Sequence, residues 1–210
     1  MSDAALDDTN FDMALVTAAL ALAAESGWAA VSSHAAAVHA NVPVERARTR
    51  FPSRASILRK LGELADAAAL ASATDEGSVR DRLFDLLMRR IDLFQAHRPG
   101  VLALLRALPT EPTTALFLAC ATERSMAWML QAAGVSANGL RGKLRVKGLT
   151  GVWLWIFRVW ERDDSEDLSA TMAALDQVLA RVEPFARFLA EPNAPPAVPP
   201  IVDQVPPVTP

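Results

Sequence analysis

The chain's sequence predicts an all-α protein of nine helices, with a three-helix unit at the N-terminus and a larger helical unit after it. Three observations predict this. Apolar residues recur at three- and four-residue spacing along most of the 210 residues, and no stretch alternates in the two-residue period of a strand. Helix start and stop signals divide that pattern at regular intervals. Residues 33–50 hold two segments too short and too close together to be anything but short helices joined by a tight turn.

Taken in order, the first helix runs over 10–26, with Asn10 as its cap and Gly27 as its stop, followed by Trp28. Short helices follow at 33–40 and 43–50. Ser53 caps a fourth helix reaching about residue 72 through Ile57, Leu58, Leu61 and Leu64, and Thr74-Asp75-Glu76-Gly77 breaks it. Ser78-Val79-Arg80-Asp81 is a capping box, in which the first and fourth side chains satisfy each other's free backbone N–H groups, and it opens a fifth helix. His97-Arg98-Pro99-Gly100 ends that helix and starts a sixth, reaching about residue 108. A seventh spans 112–133 and an eighth 139–162. The ninth is expected to open at Asp163-Asp164-Ser165 and run to about 190, with Pro184 a kink or early stop. The last twenty residues hold eight prolines and no helical pattern, which describes a disordered or polyproline II tail. The expected organisation is a flexible N-terminus over 1–9, a helix-turn-helix domain over 10–54, a helical domain over 55–190 and the tail over 191–210.

Charge is unevenly spread. Residues 41–60 carry six cations (Arg46, Arg48, Arg50, Arg54, Arg59, Lys60) against Glu45, a local charge of +5 on a chain whose total is −3. A short basic patch on an acidic protein points to phosphate. By contrast, residues 1–40 hold five anions and no Lys or Arg. One cysteine, Cys120, cannot form an internal disulfide and suits a reducing cytoplasm. The first ten residues lack the basic-then-apolar order of a signal peptide, and no run of about 18 apolar residues is present to span a membrane. His34, His39 and His97 make no metal-ligand spacing with Cys120 or the carboxylates, and no phosphate loop or nucleophile motif is present, so neither enzyme chemistry nor a metal or other cofactor is expected.

Gly27-Trp28, Ala35-Ala36-Ala37, Ala40-Asn41-Val42-Pro43, Arg48-Thr49-Arg50-Phe51 and Pro52-Ser53-Arg54 occur in the order and spacing of the N-terminal domain of TetR-type bacterial transcriptional regulators, which this segment resembles. The resemblance implies a helix-turn-helix on double-stranded operator DNA, with Ser33, His34, Val44, Arg46, Arg48, Arg50 and Arg54 at the interface. Three positions depart from the family pattern. Asn41 stands for the turn glycine, and Asn tolerates left-handed backbone better than other non-Gly residues. Pro43 stands for the Ser that caps the recognition helix, and Arg48 for a phosphate-binding Tyr.

Further along, Arg80-Asp81-Arg82-Leu83, residues 126–134, and Trp160 followed by Asp163-Asp164-Ser165 resemble a proteobacterial branch of the same regulators. They are also similar to the TetR-fold lipid-binding accessory proteins of ubiquinone biosynthesis. Two functions follow from these likenesses: a ligand-responsive repressor, or a lipid-binding accessory protein that kept the fold and lost the operator. Four arginines within residues 46–54 favour the repressor, while Pro43, the missing Tyr and the acidic N-terminus favour the alternative.

The apolar surface of the eighth and ninth helices exceeds what one chain of this size is expected to cover. A homodimer through Trp155, Trp160, Leu168, Met172, Leu175 and Leu179 is therefore expected. The family also implies a hydrophobic small-molecule effector or lipid. Phe84, Met88, Phe117, Met126, Trp128, Met129 and Trp153 are its candidate lining, since Met adapts in shape and Trp offers area with one N–H.

Overall fold

The computed structural model of the chain describes residues 3–188, apart from 72, 74 and 75. Among the described residues nine α-helices and two short 3-10 turns account for the regular structure: α1 (Asp3–Ser26), α2 (Ser33–His39), α3 (Val44–Arg50), α4 (Arg54–Leu70), α5 (Val79–Ala96), α6 (Arg98–Ala107), α7 (Pro112–Ala132), α8 (Gly139–Glu161) and α9 (Ser169–Phe188). The expected proline-rich tail over 191–210 lies outside the described residues.

Local chemistry explains most boundaries. Ser32, Ser53 and Ser78 each accept a first-turn backbone N–H of α2, α4 and α5, and in α4 and α5 the partner residue, Ser56 or Asp81, reaches back to complete a capping box. Gly27 ends α1 at φ 80°, where its N–H closes on the Ala23 carbonyl at 2.9 Å.

Two boundaries differ from the sequence expectation. The first helix starts at Asp3 rather than Asn10, so the segment expected to be flexible over 1–9 is helical from Asp3. The reason is tertiary: Asp7 and Asp8 find arginine partners on α3 that fix the extra turns. The ninth helix starts at Ser169 rather than Asp163. Asp163 turns inward, is buried, and accepts the backbone N–H and hydroxyl of Thr171, so 162–168 is a loop folded over the start of α9. Pro184 lies inside α9, which continues to Phe188.

Among the described residues one continuous apolar core links the helices. Leu15, Trp28, Phe51 and Ile57 close the N-terminal end, and Leu87, Ile91, Met126, Met129, Ile156 and Leu175 fill the larger end. The α1 helix joins the two by lying against α6. Gly100 permits that approach, since a Cβ there would stand 2.2 Å from the Leu20 carbonyl oxygen. Trp160 is wholly buried, donates its indole N–H to Gln95 at 2.9 Å, and carries Arg98 over its ring at 4.9 Å. The Arg98 guanidinium also donates to the Trp160 and Glu161 carbonyls, closing the C-terminal end of α8.

Candidate nucleic-acid interface

The helix-turn-helix is built from small residues at the crossing. Ala36, Ala37 and Ala47 are buried, which lets α2 and α3 pack closely. Asn41 turns the chain at φ 52°, the left-handed conformation, and the Val42 N–H donates back to the Ala37 carbonyl at 3.0 Å. Pro43 is the N-cap of α3 and supplies no side-chain acceptor, so the first-turn N–H groups of α3 have none from the cap. Phe51, 2% exposed, anchors the far end of α3, and Ser33 donates its hydroxyl to the Phe51 carbonyl. Ser33 is thereby tied into the unit, and Val44 packs against the core.

The outward face of the unit carries His34, Val38 and His39 on α2 with Glu45, Arg48 and Thr49 on α3, all exposed. Arg48 is the most open of the α3 arginines: its side chain is 81% exposed, and it meets Glu45 at 3.8 Å.

The other arginines are engaged. Arg46 meets Asp7 at 2.8 Å and Asp8, and lies over the Phe11 ring at 4.4 Å. Arg50 presents Nε and Nη2 to the two oxygens of Asp12, and its Nη1 meets Asp8 at 3.2 Å. Lys60 on α4 also meets Asp12, at 3.0 Å. Burial pushes the Asp12 pKa up, and the hydrogen bonds and charges of Arg50 and Lys60 outweigh it, leaving the carboxyl below its usual range. The carboxylates of Asp8 and Asp7 raise Arg46, and that of Asp12 raises Arg50, so both stay charged. Arg54 leaves the outward face altogether, donating to Glu111 at 3.1 Å and to the Trp28 carbonyl at 3.4 Å.

Sequence reasoning missed Asp7, Asp8, Asp12 and Glu111 as partners of these arginines. A signal for two of them was present: Asp8 and Asp12 are spaced four apart on α1, as Arg46 and Arg50 are on α3, so matched pairs can meet across one helix crossing.

The residues expected to line an effector cavity differ in burial. Met126, Met129 and Trp153 are core, Met88 and Phe117 are half-buried, and Trp128 is 55% exposed on α7. Phe84 lines an open groove of about 390 Å3 between α5 and α9, with Arg80, Asp81, Asp85, Met172, Ala173 and Asp176.

Of the residues expected at a dimer surface, Trp155 is 44% exposed and Met172 half-buried, whereas Trp160, Leu168, Leu175 and Leu179 are buried inside the chain. The apolar stripe of α9 is covered by α5 and α8 of the same chain, contrary to the expectation that one chain could not cover it. Among the described residues, Leu140, Leu144, Leu154 and Trp155 form an uncovered stripe on α8, and Leu116 and Trp128 are exposed on α7. Among the described residues no single helix is long and apolar enough to cross a membrane.

No protein-family model matches the chain, and no curated protein matches it. Solved structures do. One titled a TetR transcriptional regulator from Nitrosomonas europaea matches with a TM-score of 0.64 at 22% identity, covering 85% of this chain and 99% of its own. A TetR-family transcriptional regulator from Streptomyces coelicolor matches with a TM-score of 0.55 at 20% identity, over 83% of each chain. A TetR transcriptional regulator from Rhodococcus sp. RHA1 matches with a TM-score of 0.51 at 19% identity, over 81% of this chain and 95% of its own. The chain therefore has the all-helical fold of the TetR-type regulators, over nearly all of its described length.

Proposed function

We propose that the chain is a TetR-type DNA-binding transcriptional regulator, a ligand-responsive repressor that holds double-stranded operator DNA as a homodimer. The observation that carries this reading is the intact helix-turn-helix, in which Glu45, Arg48 and Thr49 share an exposed side of α3 and His34 and His39 of α2 are exposed beside it in the chain. A helix carrying polar side chains on an exposed face, braced by a second across a tight turn, is what a major groove admits. The solved structures of the same fold, all titled as transcriptional regulators, agree with it.

The dimer rests on α8. Its uncovered stripe runs from Leu140 through Leu144 to Leu154 and Trp155, and an added Cβ at Gly148 or Gly151 would meet only open space. The N-terminal half of α8 carries Arg141, Lys143, Arg145 and Lys147, and the loop after its C-terminus carries Asp164, Glu166 and Asp167. Antiparallel pairing of two α8 helices sets the basic end of each against the acidic loop of the other, and the pair is self-complementary about a two-fold axis.

On this reading, residues 10–54 act as the helix-turn-helix unit and the helices after them as the unit that carries the dimer surface. The effector is a hydrophobic small molecule or lipid, admitted beside Phe84, Met88 and Phe117, which stand half-buried against the core.

Selection of duplexes from a random pool by the full-length protein tests this reading. The expected result is an inverted repeat, bound by two chains. Recovery of no preferred duplex, together with lipid that copurifies with the protein, would instead support the lipid-binding alternative.

A further inference from the structure

Among the described residues, two of the three α1 carboxylates that meet α3 differ from the third in burial. Asp12 is 2% exposed and joins α1 to Arg50 on α3 and to Lys60 on α4, as a structural pin. The Asp7 and Asp8 side chains are 69% and 45% exposed, and they reach Arg46 and Arg50 from the first turns of α1. The helix dipole accounts for acidic residues near a helix N-terminus but not for their reach across to α3. Between them, Asp7, Asp8 and the Phe11 ring occupy both terminal nitrogens and one face of Arg46. Asp8 takes the Arg50 nitrogen that Asp12 leaves over. A guanidinium so held has little left for a phosphate.

We propose, on the reading of α3 as a DNA-binding helix, that Asp7 and Asp8 are an internal phosphate mimic. They occupy Arg46 and Arg50 in the free protein and are displaced when α3 enters a groove. Exposed pairs of this kind are weak and screened by salt, so they yield to duplex DNA, which carries about one charge per 1.7 Å of axis. Displacement requires α3 to be seated. Arg48, already open, makes the first contact with any duplex, and Arg46 and Arg50 join only in the docked complex. Because each displaced carboxylate regains cations as the phosphate it gives way to loses them, fewer ions are released on balance, and the salt dependence is shallower than the basic patch implies.

The test compares the full-length wild type with D7N/D8N on a fluorescently labelled duplex recovered by selection, across a series of KCl concentrations. Circular dichroism melting shows that both proteins are folded. The variant is expected to bind about 3- to 30-fold tighter at low salt, on the range found for exposed pairs, with a salt slope steeper by about one to two units. The gain should vanish when R46A and R50A are added to D7N/D8N. Wild-type binding with no gain in the variant overturns the mimic alone, and so does weaker binding, which would make the aspartates positioning residues for Arg46 and Arg50. Binding by neither protein overturns the DNA reading, and the mimic with it.

Discussion

The buried Asp163 carboxylate accepts the Thr171 backbone N–H at 2.7 Å and the Thr171 hydroxyl at 2.6 Å. This pair fixes the loop over 162–168 to the first turn of α9. Burial pushes the Asp163 pKa up, and the hydrogen bonds from Ser165 and Thr171 outweigh it and bring it down to about 2 from 3.8. A carboxyl depressed on folding stabilises the fold when ionised. Its contribution, about 2 kcal/mol, is complete above about pH 4 and is lost as pH falls through about 2. Urea unfolding at pH 7 and pH 3 should show D163A destabilised at pH 7 and less sensitive to acid than the wild type. An identical acid dependence in both would remove Asp163 from this role.

Gly100 and Gly62 should respond to alanine with opposite signs. At Gly100 the new methyl meets the Leu20 backbone at 2.2 Å, so G100A must separate α1 from α6 and cost about 1–3 kcal/mol or more. At Gly62 a Cβ meets nothing within 4 Å in the middle of α4, so G62A should stabilise by about 0.4–1 kcal/mol. Melting temperatures of the two variants decide this, and a gain in G100A would contradict the packing described for α1 and α6.

Arg90, 4% exposed, pairs with Asp66 beneath α4, α5 and α7, lies over the Trp153 ring at 5.2 Å, and shares Asp66 with the Ser125 hydroxyl at 2.6 Å. Removing one partner strands the other charge. D66L or R90M alone should therefore cost about 3–5 kcal/mol, and the double D66L/R90M much less. Denaturant unfolding of the three variants reads this directly; an additive double mutant would contradict a coupled pair.

The fold was legible in the sequence because its signals are local. Ser53 and Ser78 announce helix starts, Gly27 a stop, and Asn41 the turn, all through chemistry within four residues. The start of α9 was not legible, because Asp163-Asp164-Ser165 has the composition of a helix start while Asp163 is spent on Thr171, eight residues away. The candidate site was half legible. The basic patch is plain in residues 41–60, but the carboxylate partners of Arg46, Arg50 and Arg54 lie 38 to 57 residues away along the chain, where no local rule applies. The apolar stripe of α9 misled for the same reason: periodicity shows that Leu175 and Leu179 are buried, not what buries them.

The dimer should depend on α8 rather than on Leu175. L144E or W155E places a charge in the uncovered stripe and should give a folded monomer near 22.6 kDa, against twice that mass for the wild type. Light scattering at micromolar concentration reads the difference. A wild-type monomer would contradict the pairing proposed for α8.

DNA binding through α3 is the central claim, and Arg48 offers its sharpest handle, since it is exposed and its loss disturbs no core contact. The decisive measurement is a fluorescence-anisotropy titration of a selected duplex with wild type and R48A at 50 and 200 mM salt. The predicted result is wild-type binding that weakens with salt, and a loss in R48A of about 5- to 150-fold at low salt if Arg48 reads a guanine, or a uniform loss with a salt slope lower by about one unit if it meets phosphate. Wild-type binding that R48A leaves unchanged, or no wild-type binding at 50 mM salt, would contradict it.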